Sequence, residues 1–385
     1  MPWKETCPME ERMKFIADYL QDEWSLAQLC RFYGISRKTG YKWLARYLAE
    51  GPAGLGDRSR APRRHPNGVP REVEEQVVAF RAQYPHWGPR KLVHRLSQIQ
   101  PETHWPVPST VGALLKRRGL TAPRRGKRHT PPYNQPFQED VQPNQVWSAD
   151  FKGWFRTQDG TRIDPLTIAD VASRYLLRCQ GLVRPNRTAV QAVFTAAFQE
   201  FGLPRAIRTD NGPPFASVGL GGLSRLSVWW VCLGISPERI RPGHPEENGR
   251  HERMHRTLKQ ATAQPSQATP NAQQRAFDRF RAEYNQERPH EALAMQTPAQ
   301  RYQPSLRPFP ERLPEFEYAP GYVVRRVRSN GEIRWQRGLV YLSEALVGQR
   351  VGLIEIDNGQ WRVDFGPIQL AIYQEQDKKF KPIRC

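Results

Sequence analysis

Three carboxylates set in three unlike stretches constrain this chain more than any other feature. Asp150 interrupts the apolar run VWSADFKGWF, Asp210 lies late in AIRTDNG, and Glu252 belongs to the helical-looking segment PEENGRHERMHRTLKQ. An acid on an apolar strand is costly to bury unless it is paired or binds metal. Two strand acids and a facing helical Glu suggest hard oxygen donors for Mg²⁺ or Mn²⁺. The patterns around them read strand (VWSADFKGWF), strand and turn (RIDPLTIADVA), strand (RYLLRCQGLV), helix (TAVQAVFTAAFQEFG), strand (PRAIRTDNG), then helices over 223–233 and 246–262. That order predicts a mixed α/β sheet with the first and fourth strands adjacent at its centre.

The chain ahead of this region reads as helical. Residues 9–50 carry three helix-period segments, with Ser25 and Ser36 as N-caps and Gly34 turning the chain four residues after the small Cys30. This is a helix-turn-helix pattern, in which Arg37, Lys38, Tyr41 and Lys42 would meet a DNA groove or its phosphates. An ordinary three-helix bundle with a solvated basic face is the alternative. Residues 51–69 have linker composition, residues 70–120 read as a second helix-turn-helix-like unit with Ser109 capping its last helix, and residues 121–143 form a basic, Pro-rich tether. The catalytic region is expected over 144–302. The tail, 321–373, alternates in strand fashion with hairpin signals at Asn330-Gly331 and Asn358-Gly359, predicting a small antiparallel barrel.

Charge points to the partner. The 385 residues carry a net charge of +20, which favours a polyanion. No apolar run approaches the roughly 20 residues needed to span a bilayer, so no membrane role is expected. The five cysteines are scattered without paired spacing, which argues against a disulfide framework or zinc knuckle and fits a reducing, cytoplasmic setting.

Phosphodiester transfer requires an activated oxygen, a stabilised leaving oxygen and in-line geometry, and two divalent ions about 3.5–4 Å apart supply all three. Asp150 would bridge both ions, with Asp210 and Glu252 each completing one. Other readings stay open for each acid: Asp150 as a turn cap, Asp210 as part of the turn Asp210-Asn211-Gly212, and Glu252 as an i,i+4 partner of Arg256. Asp164 and Asp170 are rival acids, whereas Glu246 and Glu247 suit a helix start. His244 and His251 are candidate DNA or metal-shell contacts, with a surface histidine as the commoner outcome. Arg253, His255, Arg256 and Lys259 would extend a basic face for DNA phosphates. Trp154, Trp229 and Trp230 read as core residues rather than base-stacking platforms.

VWSADFKGWF, RTDNGPPF and RPGHPEENGRHERMHRTLK resemble the integrase core of DDE transposases of bacterial insertion sequences, kin to retroviral integrases. The last stretch is similar to that family's signature at Pro245, Asn248, Gly249, Glu252 and Arg253, and YNQERPHEALAMQTPAQRY to the ending of such cores. The resemblance implies a multidomain α+β protein: helix-turn-helix units, a ribonuclease-H-like catalytic core and a small C-terminal β-barrel. It also implies two Mg²⁺ ions on Asp150, Asp210 and Glu252, double-stranded DNA as element ends and target, 3′-end nicking with strand transfer, and a homo-oligomer on DNA. The stretch from Asp210 to Glu252 is longer than in close retroviral relatives, with Ser217–Arg225 as the extra loop. A catalytically inactive DNA-binding regulator and a nuclease without joining activity are the alternatives.

Overall fold

The computed structural model describes residues 7–60, 68–121, 142–217, 219–240, 249–336, 338–377 and 379–382, which fall into two compact units, 1–68 and 69–385. The first unit holds α1 (Pro8–Leu20), α2 (Leu26–Phe32) and α3 (Arg37–Glu50). Gln28 closes a capping box on Ser25, and the Ser36 hydroxyl accepts from the Thr39 N–H. Both serines thus satisfy donors that a helix start leaves orphaned. Phe15, Ile16, Leu29, Cys30, Trp43, Leu44 and Leu55 form its core. Gly40 permits the close crossing of α2 and α3: a Cβ there would stand 2.5 Å from Cys30 Sγ. The stretch Gly51–Leu55, of linker composition, is a 3-10 turn that delivers Leu55 into this core.

The second unit opens with α4 (Arg71–Gln83), α5 (Pro89–Ile99) and α6 (Pro108–Arg117), packed around Val77, Trp87, Leu92, Val111 and Leu114. The last of these begins one residue before Ser109, with Pro108 in its first turn and Val107 at the cap, because Pro is pre-set for the first helical position. The central sheet comprises β1 (Val146–Phe151), β2 (Phe155–Arg156), β3 (Arg162–Asp170), β4 (Leu176–Leu182), β5 (Ala206–Thr209) and β6 (Ser236–Arg239). Strand order is β4-β3-β1-β5-β6, with β2 beside the start of β3. The pairs β1–β3 and β3–β4 are antiparallel; β1–β5 and β5–β6 are parallel. The first and fourth strands read from the sequence are therefore neighbours, as β1 and β5.

Helices cover both faces. On one face α7 (Arg187–Phe201) and α8 (Arg225–Cys232) meet Trp147, Ala149, Leu166, Ile168 and Ile207. On the other, α9 (Gly249–Thr262) and α10 (Pro270–Gln286) pack Met254, Leu258, Phe277 and Phe280 against Ile163, Leu176 and Cys179. The apolar run LSVWWVCL makes sense on this plan. Leu226 and Trp230 serve the central core, whereas Val228, Val231 and Cys232 serve a second core shared with the C-terminal strands.

After the short α11 (Pro298–Arg301) come β7 (Val323–Arg326), β8 (Glu332–Trp335), β9 (Gly338–Tyr341), β10 (Arg350–Asp357), β11 (Gln360–Phe365), β12 (Ile368–Gln374) and β13 (Lys379–Pro382). The closed barrel expected here is not formed: among the described residues an open sheet, β13-β12-β11-β10-β7, accompanies a separate β8–β9 hairpin. Asn358-Gly359 does join a hairpin, β10 to β11, but Asn330-Gly331 does not, since β8 pairs forward with β9 and β7 pairs with β10. The apolar side of these strands is covered by α8, so the sheet has no need to close on itself.

The outer edge of β4 is sealed by side chains of α10. Asn285 accepts from the Leu176 N–H at 2.8 Å and donates to the Leu176 carbonyl at 2.9 Å. Arg281 donates to the Leu177 carbonyl, and Gln274 both donates to the Cys179 carbonyl and accepts from the Gly181 N–H. A buried backbone group left without a partner costs about 1–3 kcal/mol. Asn285→Leu is therefore expected to destabilise the protein by about 2–4 kcal/mol, read as a lower urea midpoint at unchanged slope.

Candidate active site

Alternation along β1 decides which way its side chains face. Trp147 and Ala149 belong to the core under α7, so Ser148 and Asp150 lie on the face covered by α9. The same alternation in β5 sends Ile207 toward α7 and Arg208 to the α9 face. The parallel register pairs Val146 with Ala206 and Ser148 with Arg208. Continued by two residues beyond the paired ones, this register would set Asp150, near the end of β1, level with Asp210, the residue that follows β5.

Asp150 is held at a side-chain exposure of 18%, with His255 Nδ1 3.9 Å from its Oδ2. Behind it runs a buried polar chain. Ser148 Oγ lies 2.8 Å from His251 Nδ1, and Thr167 Oγ1 lies 2.6 Å from His251 Nε2 and 2.7 Å from His255 Nε2. Burial pushes the His251 imidazole down to about 4; His255 is lowered still further, by burial first and then by His251 and Lys152. Both rings are thus neutral near pH 7, each with one N–H to give. The Thr167 hydroxyl donates its one proton to the Asp150 backbone carbonyl at 3.1 Å, which leaves its oxygen to accept from the Nε2–H of both imidazoles, while Ser148 donates to His251 Nδ1.

The other acids have identifiable roles. Asp210 accepts from the Gly212 N–H at 3.2 Å, so it also shapes the turn that follows β5. Glu252 is exposed in the first turn of α9. At about 100° per residue it shares a helix flank with His255 and Lys259. Among the described residues, no three of His, Cys, Asp and Glu are grouped as a metal site. The chemistry of the donors nonetheless suits a hard divalent cation: two carboxylates near the ends of neighbouring strands, with a third on the helix laid over that face. The rival acids are structural. Asp170 accepts from the Asn144 N–H and from the N–H and hydroxyl of Ser173, and Asp164 pairs with Arg162 at 3.0 Å.

Of the basic residues, Arg37, Lys38, Tyr41 and Lys42 are all exposed on α3. Arg253, Arg256 and Lys259 are exposed on α9, where Arg253 and Arg256 line a cavity and Lys259 lies near Lys152. His251 is neither a surface histidine nor an open contact; at 3% exposure it is part of the buried chain. Trp154 is 55% exposed rather than core, because it sits on the turn between β1 and β2, where the Arg162 guanidinium lies 5.0 Å from its ring centroid. Trp230 is core, and Trp229 packs against it as a partly buried neighbour. His244, Pro245, Glu246, Glu247 and Asn248 lie outside the described residues, as do 61–67 and 122–141 of the two tethers. The roles of Thr167 and Ser148 escape the sequence reading, and so does the buried place of His255. The available signal was the spacing of four between His251 and His255, which puts both on one helix face.

Two family matches described as integrase core domain cover residues 140–245 and 233–298; a helix-turn-helix domain matches 11–63 and a homeodomain-like domain 39–115. The chain thus carries helix-turn-helix domains followed by an integrase core domain. Over 159 residues, 41% of the chain, it is 28% identical to a 31.7 kDa uncharacterized protein of insertion element IS407 from Burkholderia multivorans, covering 55% of that protein. It is 31% identical, over 159 residues and 41% of the chain, to a 39.2 kDa uncharacterized protein of insertion element IS476 from Xanthomonas euvesicatoria, covering 44% of it. The chain spans about half the length of these relatives. Among solved structures, the HTLV-2 integrase catalytic core domain in complex with magnesium aligns at a TM-score of 0.35 and 18% identity, covering 42% of this chain and 99% of that one. Among the described residues, no helix is long and apolar enough to cross a membrane.

Thr167→Val would keep the volume and remove the hydroxyl that serves both imidazoles. The expected loss is about 1–3 kcal/mol for each orphaned partner, measured by chemical denaturation, with Thr167→Ser recovering most of it.

Proposed function

We propose that this chain is a transposase. Its helical N-terminal domains bind the ends of a mobile DNA element, and its integrase core nicks those ends and joins them to target DNA, working as a homo-oligomer that holds two ends in the bacterial cytoplasm. The observation that supports this reading is the parallel register of β1 and β5, which runs to Ser148 opposite Arg208 and, extended by two residues, would set Asp150 level with Asp210, on the sheet face covered by the helix that bears Glu252. The two insertion-element relatives supply the biological setting.

Asp150, Asp210 and Glu252 would hold two Mg²⁺ or Mn²⁺ ions. Bound there, such ions lower the pKa of an attacking hydroxyl and neutralise charge on the leaving oxygen. The chain's own residues do the rest. Thr167 ties His255 to the strand beside Asp150 and donates to the Asp150 backbone carbonyl. Lys152, close to both Asp150 and Lys259, would offer charge to the scissile phosphate. Arg37, Lys38, Tyr41 and Lys42 present an exposed face of α3 to DNA, and Arg253, Arg256 and Lys259 an exposed face of α9. No protein nucleophile takes part. Water attacks phosphorus in the nicking step and releases a 3′-hydroxyl; that hydroxyl then attacks a target phosphodiester, forming one P–O bond as another breaks. Because one phosphodiester replaces another, ATP is not required.

Asp150→Asn is expected to lower Mg²⁺-dependent strand transfer by at least about 100-fold, the low end of what losing a key electrostatic group costs, while binding of end DNA stays within twofold. Chelation of divalent ions should do the same to the unmodified protein. Joining that persists in the variant would refute the carboxylate assignment. Cleavage without joining in the unmodified protein would make it a nuclease, and DNA binding with neither activity a regulator.

A further inference from the structure

A second site lies on the flank of α9 that faces away from Lys259. There α5, α9, the end of α10 and the turn between β3 and β4 enclose a cavity of about 360 Å³, lined by Lys91, Arg174, Arg253, Tyr284, Arg288 and His290 among others. Its charge is one-sided. Arg250 and Arg256 also line it, and the one acid in the lining, Glu291, is bonded to Arg90 outside it. Arg288 is only 9% exposed, and an arginine cannot shed its proton to escape burial. Lys91 is pushed down to about 8, by burial first and then by Arg288 and Arg174, with Glu291 acting in the opposite sense. Arg174 holds a left-handed backbone, φ +63°, in the tight turn that carries it to the cavity. Clustered cations are unfavourable in an empty cavity and favourable around an anion.

We propose that this cavity binds phosphates of the DNA backbone, as an anchoring site separate from the carboxylate site. It is roomier than a single phosphate requires. Arg253 and Arg256 make it continuous with the exposed basic side of α9, so a strand lying along that helix would set a phosphate over Lys91, Arg174 and Arg288. The ending NQERPHEAL then has a chemical purpose: Asn285 ties α10 to β4, while Arg288 and His290 furnish the floor of the anion site. The docking of α4 and α5 on α10, through Trp87 Nε1 to Glu283 at 2.8 Å and Tyr84 to Glu287, brings Lys91 to the same place. The inference rests on the DNA-binding part of the function proposed above and not on the three acids.

The test is the salt dependence of duplex binding by the full chain, since each lost phosphate contact reduces the slope of log K against log salt by about one. Two variants are suitable. Lys91→Met removes a charge at similar volume, and Arg174→Gly removes one where glycine tolerates the backbone. Each should lower the slope by about one at low salt-independent cost, with a melting temperature within a few degrees of the unmodified protein; Asp150→Asn should keep the full slope. Slopes unchanged in both variants would overturn the proposal. A melting temperature raised by inorganic pyrophosphate in a Lys91-dependent way, with DNA slopes unchanged, would also overturn it, by making the cavity a site for a free anion. Loss of slope in the variants of a protein that never joins DNA would uphold the anchoring site while the transposase reading fell.

Discussion

The hydroxyl of Thr167 is the point on which the active face turns. It is fully buried in the middle of β3, opposite Asp150 on β1, and it meets two imidazoles from α9. A helix laid over a sheet by apolar contacts alone has some freedom to slide, because such contacts are non-directional. Three hydrogen bonds along Ser148, His251, Thr167 and His255 remove that freedom and fix the rotation of α9 to the angle at which Glu252 follows His251. The same bonds are enclosed by low-dielectric surroundings, where a satisfied polar chain is rigid and an incomplete one is costly.

The face of the sheet under α9 is therefore assembled from two kinds of constraint. Parallel pairing of β1 and β5 sets the register in which the chain leaves both strands, with Asp150 near the end of one and Asp210 just after the other. The buried polar chain then positions the helix that carries Glu252. On the opposite face of the sheet, aromatic packing of Trp147, Phe194, Phe198 and Trp230 forms an apolar core, whereas the α9 face combines a smaller apolar cluster around Met254, Leu258 and Phe277 with the buried polar chain.

Much of this was legible in the residues. The apolar run beginning at Val146 and the helical pattern over Thr188–Gly202 pointed to the first strand and its covering helix, and the caps at Ser25 and Ser36 to the start of α2 and α3. What was not legible depends on tertiary partners. Ser236–Arg239, with Pro and two charged residues, has no strand pattern of its own and is a strand because β5 offers it a parallel edge. Leu55 looks like part of a Gly- and Pro-rich linker until a hydrophobic pocket in the first unit receives it. Trp154 is apolar enough to suggest burial, yet a turn between strands leaves it outside beside arginines. The barrel failed for a similar reason: alternation predicts strands, but whether they close depends on what covers their apolar side, here α8. At the site, Asp150 stood out because an acid on a strand is anomalous, whereas Thr167 is an ordinary strand residue in one dimension.

The amide and guanidinium groups of α10 along β4 also govern how copies of the protein can meet. Gln274, Arg281 and Asn285 occupy the outward backbone groups of that strand, so no foreign strand finds a template there. Sheet extension across a subunit boundary is closed off on that border. Copies that meet do so through other surfaces, among them the helix faces, the border at β6 and the edges of the open C-terminal sheet.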